Sequence, residues 1–246
     1  MFLRKKYCYQ SRTPYGKIQV QDTVEAGVPV RLLLVDGTRE SATYLIPGLR
    51  NEPVFEYIRA ITRMADELEH RKSLLLIGGA GLSLPKYYIS RYPDMTIDVV
   101  ENNPEMLELA RKYFFLDELY ADYGLHSSGR LNIILDDGFR YLETCGKTYD
   151  MVINDAFVGR VADRDLSSDR GSRLIYEHLN DGGTYFVNLI TARSGVESMN
   201  GIMAEATISR VFGKAAMIPV YPDYTAELKQ NVIVRATKET YTTDRI

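Results

Sequence analysis

From residue 7 to 46 short β-like runs alternate with turn residues: KIQVQD, VEAG and VRLLLVDG, the last closing on Asp36-Gly37, a hairpin-type pair. This pattern predicts a small antiparallel sheet, and residues 1–50 are expected to form a separate N-terminal β-domain. From Glu52 to Glu69 the period changes, with Val54, Phe55, Ile58, Ile61, Ala65 and Leu68 recurring at helical spacing. Beyond it strands and helices alternate to the end, so residues 51–246 read as one larger α/β domain.

The spacing predicts strands over Ser73–Gly78, Thr96–Glu101, Leu131–Leu135, Tyr149–Asp155 and Gly183–Ile190. Helices are predicted between them, over Leu84–Arg91, Pro104–Phe114, Gly138–Thr144 and Asp169–Leu179, with a further one over Ser198–Phe212. Two late strands, near Ala215–Tyr221 and Asn231–Thr237, bring the sheet to seven. Apolar runs without clean alternation, each followed by a helix, imply a mainly parallel sheet covered on both faces.

Composition narrows the functional classes. The chain carries 30 basic and 33 acidic residues, a net charge of −3 with the signs interspersed, so no nucleic-acid or anionic-membrane footprint stands out. Cys8 and Cys145 cannot make a disulfide framework, and a cytoplasmic setting is expected. No run approaches the ~18–20 apolar residues that span a bilayer. His70, His126 and His178 lack metal-ligand spacing, so no metal is expected.

Candidate chemistry collects after the strands, because open α/β sheets bind ligands outside their carboxyl ends. The first predicted strand runs into GGAGLS, where Gly78, Gly79 and Gly81 offer backbone N–H groups with close access to a ligand. The second ends in Glu101, followed by Asn102; a carboxylate there can accept from both hydroxyls of a ribose. The third runs into Asp136-Asp137-Gly138, where a carboxylate can receive an exocyclic amine such as that of adenine, or cap the next helix, or both. The fourth ends at Asp155, in place to orient or deprotonate an amine nucleophile. The stretch RVADRDLSSDR, with Asp163, Asp165 and Asp169, is expected to be a solvated loop that can fold over the site as a lid.

Taken in order, the glycine loop, Glu101, Asp137-Gly138-Phe139 and Asp155 resemble the spermidine-synthase-like branch of the Rossmann-like class I S-adenosylmethionine-dependent methyltransferase fold. TPYGKIQV and LLLVDG resemble that family's N-terminal β-domain, and IPVYPDY its late tyrosine loop. The resemblance implies that Gly78, Gly79 and Gly81 face the amino-acid side of the cofactor, Glu101 the ribose, and Asp137 with Gly138 the adenine. It assigns Asp155 to the nucleophilic amine, with Tyr221 near it, and implies a homodimer. Tyr57 and Tyr44 are further substrate-side candidates.

Departures from the family pattern shape the functional expectation. An acid within the family's glycine loop falls on Gly81, a second acid on Val158, and an early glutamine on Gly16. The glutamine-containing segment after the hairpin is replaced by TRESATYLIPG. A polycationic substrate needs fixed carboxylates to offset desolvation. The expected function is therefore S-adenosylmethionine-dependent methyl transfer to a small-molecule acceptor, an amine being plausible. Aminopropyl transfer from decarboxylated S-adenosylmethionine is the alternative, followed by a non-catalytic nucleoside-binding scaffold. A nicotinamide oxidoreductase fits less well, because Leu84 stands at the third glycine of its motif.

Overall fold

Two hairpin turns set the architecture of the N-terminal sheet in the computed structural model, which describes residues 6–14, 16–158, 161–162 and 165–240. Ala26-Gly27 and Asp36-Gly37 both have positive φ at the two central positions (48° and 81°, 47° and 79°). That is the type I′ geometry whose twist matches the flanking strands. The turns join β2 (Gly16–Glu25) to β3 (Val28–Val35) and β3 to β4 (Thr38–Tyr44), with β1 (Lys6–Thr13) on the outer edge of an antiparallel order β1-β2-β3-β4. VEAG is thus the end of a strand and its turn rather than a run of its own.

The larger sheet comprises β5 (Ser73–Ile77), β6 (Thr96–Glu101), β7 (Leu131–Leu135), β8 (Tyr149–Asn154), β11 (Leu179–Thr191), β12 (Ala215–Pro219) and β13 (Gln230–Thr237). A two-stranded ribbon, β9 (Phe157–Val158) with β10 (Val161–Ala162), lies between β8 and β11 in sequence. The order across the sheet is β12-β13-β11-β8-β5-β6-β7. β7, β6, β5, β8 and β11 run parallel, and β13 is antiparallel to both of its neighbours. Helices α1 (Glu56–Asp66), α2 (Ser83–Arg91), α3 (Pro104–Tyr113), α4 (Leu116–Asp122), α5 (Leu125–Ser128), α6 (Gly138–Thr144), α7 (Asp169–Glu177) and α8 (Met199–Phe212) fill the connections. The expected α/β class with a seven-stranded sheet after a small antiparallel one is the architecture found.

Alternation along β5 shows why these strands read as continuous apolar runs. Leu74 and Leu76 enter one core with Ile97, Val99, Met151 and Ile153, while Leu75 and Ile77 enter a second with Val100 and Val152. Both faces are dry, as a parallel sheet requires. A third core ties the small sheet to the large unit: Ile18, Val20 and Leu33 pack on Met106, Leu109 and Phe114. Buried Lys86 of α2 reinforces this junction by donating to Thr43 Oγ1 (2.9 Å) and the Phe114 carbonyl (3.2 Å).

Differences from the sequence reading are local. α1 starts at Glu56 rather than Glu52, since Pro53 biases the residue before it toward extended backbone and Phe55 is itself extended at the N-cap. α4 and α5 occupy a stretch assigned no element, too short for helical periodicity to register. β11 begins at Leu179, its pairing with β8 shifting register between Leu179 and Thr184 around Gly182 (φ 75°). No helix among the described residues is long and apolar enough to cross a membrane.

Candidate active site

Strand order reverses beside β5, whose neighbours are β6 on one side and β8 on the other, so the loops after these strands diverge and leave a crevice. The crevice opens into a cavity of about 1050 Å3 lined by Gly78, Gly79, Glu101, Asn102, Asp136, Asp137, Gly138, Asp155 and Tyr221. Small-molecule sites span roughly 300–1,000 Å3, so there is room here for a nucleoside and a second substrate. Of the residues assigned to the cofactor or the reaction, all but Gly81 line the cavity; of the two further tyrosine candidates Tyr57 lines it, whereas Tyr44 does not and instead accepts from Arg59 Nη2 at 2.7 Å.

Gly78 is where the chain can do nothing else. Its φ is +84°, its N–H donates to Val100 O (2.9 Å), and a Cβ would lie 2.7 Å from the Asp155 carbonyl oxygen. Gly138 likewise lets α6 begin against β5, a Cβ there meeting Ile77 Cγ2 at 2.3 Å. Gly81 does not line the cavity: its Cβ direction is filled by Ser41 Oγ (2.4 Å) and Phe114 Cδ1 (3.1 Å).

Glu101 anchors the glycine loop. Its Oε2 accepts from the N–H groups of Gly79 (3.0 Å) and Ala80 (3.1 Å), and its Oε1 from that of Asn103 (2.9 Å). A carboxylate so fixed presents its remaining lone pairs in a defined direction. Asp137 caps α6, accepting from the Arg140 N–H at 2.9 Å. Asp136 accepts from Arg140 Nε (2.6 Å), and this bond to a guanidinium holds its carboxyl below the usual range. Leu135, which precedes this turn, is exposed, and the Phe139 ring lies under the Arg170 guanidinium.

Asp155 sits at the opposite end, just beyond β8. Oδ2 accepts from the Tyr57 hydroxyl of α1 at 2.9 Å, and Oδ1 from Asn188 Nδ2 of β11 at 2.8 Å. Asn231 Nδ2 donates to Asn188 Oδ1 (3.0 Å), fixing that amide in turn. Burial raises the Asp155 carboxyl to about 6, the two hydrogen bonds offsetting part of the effect. Burial and the neighbouring carboxylate push the Tyr57 hydroxyl well above 10, so it remains a donor.

Tyr221 lines the same cavity, stacked on Tyr224 with ring centroids 4.8 Å apart, its backbone clamped by the Gln230 side chain (2.6 and 3.0 Å). The hydroxyl that reaches Asp155 is nevertheless that of Tyr57. Asn188 and Asn231 went unnoticed in the sequence; the available signal was a polar side chain in the otherwise apolar run YFVNLI. Asp163 and part of the expected lid RVADRDLSSDR lie outside the described residues. Among the described residues, no group of three or more His, Cys, Asp or Glu is placed to hold a metal.

A sequence model described as the spermine/spermidine synthase domain matches residues 54–240. The chain belongs to this family. It is 28% identical over 212 residues to a probable polyamine aminopropyl transferase of Bifidobacterium longum, covering 86% of this chain and 44% of the relative. A polyamine aminopropyltransferase of Thermoplasma volcanium is 26% identical over 187 residues, with 75% and 60% of the two chains covered. The chain thus spans about half the length of these relatives. A probable spermidine synthase from Corynebacterium glutamicum shares the fold at a TM-score of 0.77 and 20% identity, over 96% of this chain and 82% of that one.

These findings overturn methyl transfer as the leading expectation, because family and relatives favour aminopropyl transfer over most of the chain. The geometry explains how the inference from Gly81 went astray. A missing loop acid argued for a lost cation site, yet Ser41 and Phe114 already occupy the space that side chain would need. The space beside Gly81 is thus closed by packing against Ser41 of β4 and against Phe114, which accounts for the missing acid without a change of ligand.

Proposed function

We propose that this protein transfers an aminopropyl group from decarboxylated S-adenosylmethionine to a small amine. The observation that carries the reading is Asp155, held at the cavity wall by Tyr57 and Asn188 in a chain of the spermine/spermidine synthase family. In the proposed complex Glu101 receives the ribose, the Asp136-Asp137 turn the adenine, and the glycine loop lies against the amino-acid side of the donor. The sulfonium and its aminopropyl chain then face Asp155.

The reaction is an in-line displacement. The amine nitrogen forms a bond to the propyl carbon attached to sulfur, the C–S bond breaks, and its electron pair leaves on sulfur as neutral methylthioadenosine. The attacking nitrogen must shed a proton. A carboxylate raised to about 6 is a stronger base than an ordinary one and can take it. The sulfonium is a built-in leaving group, so most of the remaining acceleration comes from aligning nitrogen, carbon and sulfur away from water.

Incubating the full chain with decarboxylated S-adenosylmethionine and a panel of alkyl diamines and polyamines tests this reading. Stoichiometric methylthioadenosine and N-aminopropyl product are expected for at least one amine. Absence of both across the panel, with the cofactor bound, overturns it.

A further inference from the structure

Glu40 lines the cavity from β4, at the end where Asp155 lies. Its neighbour Ser41 is the residue that fills the space beside Gly81. Among the described residues no hydrogen bond or ion pair reaches the Glu40 carboxylate, although it is partly buried. The two guanidinium groups that line the cavity are already engaged. Arg39 pairs with Glu25 and lies over the Phe55 ring (5.3 Å), while Arg59 is shared by Glu56, the Tyr44 hydroxyl and the Pro53 carbonyl.

Two carboxylates therefore line the same part of the cavity, one held by neutral donors and the other, among the described residues, by no hydrogen bond or ion pair. Burial, with the charge of Asp155 behind it, pushes the Glu40 carboxyl up to about 7. A protein gains nothing in stability from such an arrangement; a cation between the two groups relieves both repulsion and desolvation. The wall around them is partly aromatic, with Phe55, Tyr57 and Tyr221, which suits an alkyl chain ending in a charged nitrogen better than a hydrated metal ion.

We propose that Glu40 anchors a primary alkylammonium group of a substrate opposite Asp155, supplying from β4 the carboxylate that the glycine loop lacks at Gly81. The inference rests on the aminopropyl-transfer reading and adds a specificity-determining residue to it. Two sources of the ammonium share this chemistry: the aminopropyl end of the donor and the far end of a diamine acceptor. In either case the carboxylate accepts charge-assisted hydrogen bonds that a neutral amide replaces only in part.

The test compares wild type, Glu40→Gln and the charge-conserving Glu40→Asp by calorimetric titration with decarboxylated S-adenosylmethionine, methylthioadenosine and 1,4-diaminobutane. KM is also measured for the diamine and for butylamine. Methylthioadenosine carries no ammonium, so its affinity should be the same in all three proteins, which also certifies that the variants fold. Glu40→Gln is expected to weaken one ammonium ligand about 10- to 100-fold, with partial recovery in Glu40→Asp.

Loss in decarboxylated S-adenosylmethionine binding assigns Glu40 to the donor. Intact donor binding, with a rise in diamine KM larger than that for butylamine, assigns it to the acceptor. Equal ammonium binding and KM in wild type and Glu40→Gln overturn the proposal. If wild type releases no methylthioadenosine with any amine, the aminopropyl reading falls. The titrations then still decide Glu40, since an ammonium affinity that Glu40→Gln loses keeps it and one that it retains removes it.

Discussion

At one end of the cavity Glu101 closes one parallel strand and Asp136 and Asp137 directly follow the next, whereas at the other Glu40, Tyr57, Asp155, Asn188 and Tyr221 arrive from separate segments. The first end is local. Its carboxylates are fixed by backbone N–H groups and a single nearby arginine, so strand, turn and helix N-terminus suffice to build it. The second exists only once β4, α1, β8 and β11 have converged. On the proposed function the first end receives the nucleoside and the second the amine, so the nucleoside is read by a local motif and the amine by a convergence of distant segments.

Asp155→Asn should separate the two ends most sharply. It leaves the nucleoside side intact and removes the group that accepts the proton, so turnover is expected to fall by about 10²–10⁴-fold. Methylthioadenosine affinity, followed by calorimetry, should change less than about threefold. A parallel loss of nucleoside binding would mean that the two ends are not independent.

Gly81→Asp addresses the boundary between them. If the glycine were merely a lost acid, restoring it would help a cationic substrate to bind. Its Cβ would instead lie 2.4 Å from Ser41 Oγ, and the added carboxylate would enter a buried space beside Phe114. Overpacking of this kind costs about 1–3 kcal/mol, which in a chain of this size lowers Tm by several degrees. Thermal unfolding of the variant measures it, and an unchanged Tm with tighter amine binding would reverse the assignment of this space to packing.

The difference between the ends also governs what could be read before the fold was known. The boundaries of β6, β7 and α6 coincide with the sequence reading, and with them came Glu101, Asp137 and the end of β8 at which Asp155 lies. Tyr57 could be named only as one candidate among several, because nothing local ties an α1 tyrosine to an aspartate 98 residues away. Asn188 had only the signal of a polar residue in an apolar run, with nothing to say what it would bond, and Glu40 was hidden for the same reason. TRESATYLIPG registered as a departure from the family pattern, yet whether its glutamate faced solvent or the cavity depended on how β4 packs.

Tyr57→Phe gives the smallest expected effect and the most specific one. The Tyr57 hydroxyl donates to Asp155 and favours the ionised carboxylate, working against the burial that raises it to about 6. Proton transfer requires Asp155 ionised, so the rate should climb with pH through about 6. Removing the donor raises the Asp155 carboxyl further and moves this acid limb to higher pH. Turnover should therefore fall a few-fold near neutrality and recover toward wild type in mildly alkaline solution, because there the carboxylate is ionised with or without its donor. A pH profile of kcat for both proteins checks the sign. An acid limb that stayed in place, with turnover lowered equally at every pH, would make Tyr57 a wall of the amine pocket rather than a group that sets the charge of Asp155.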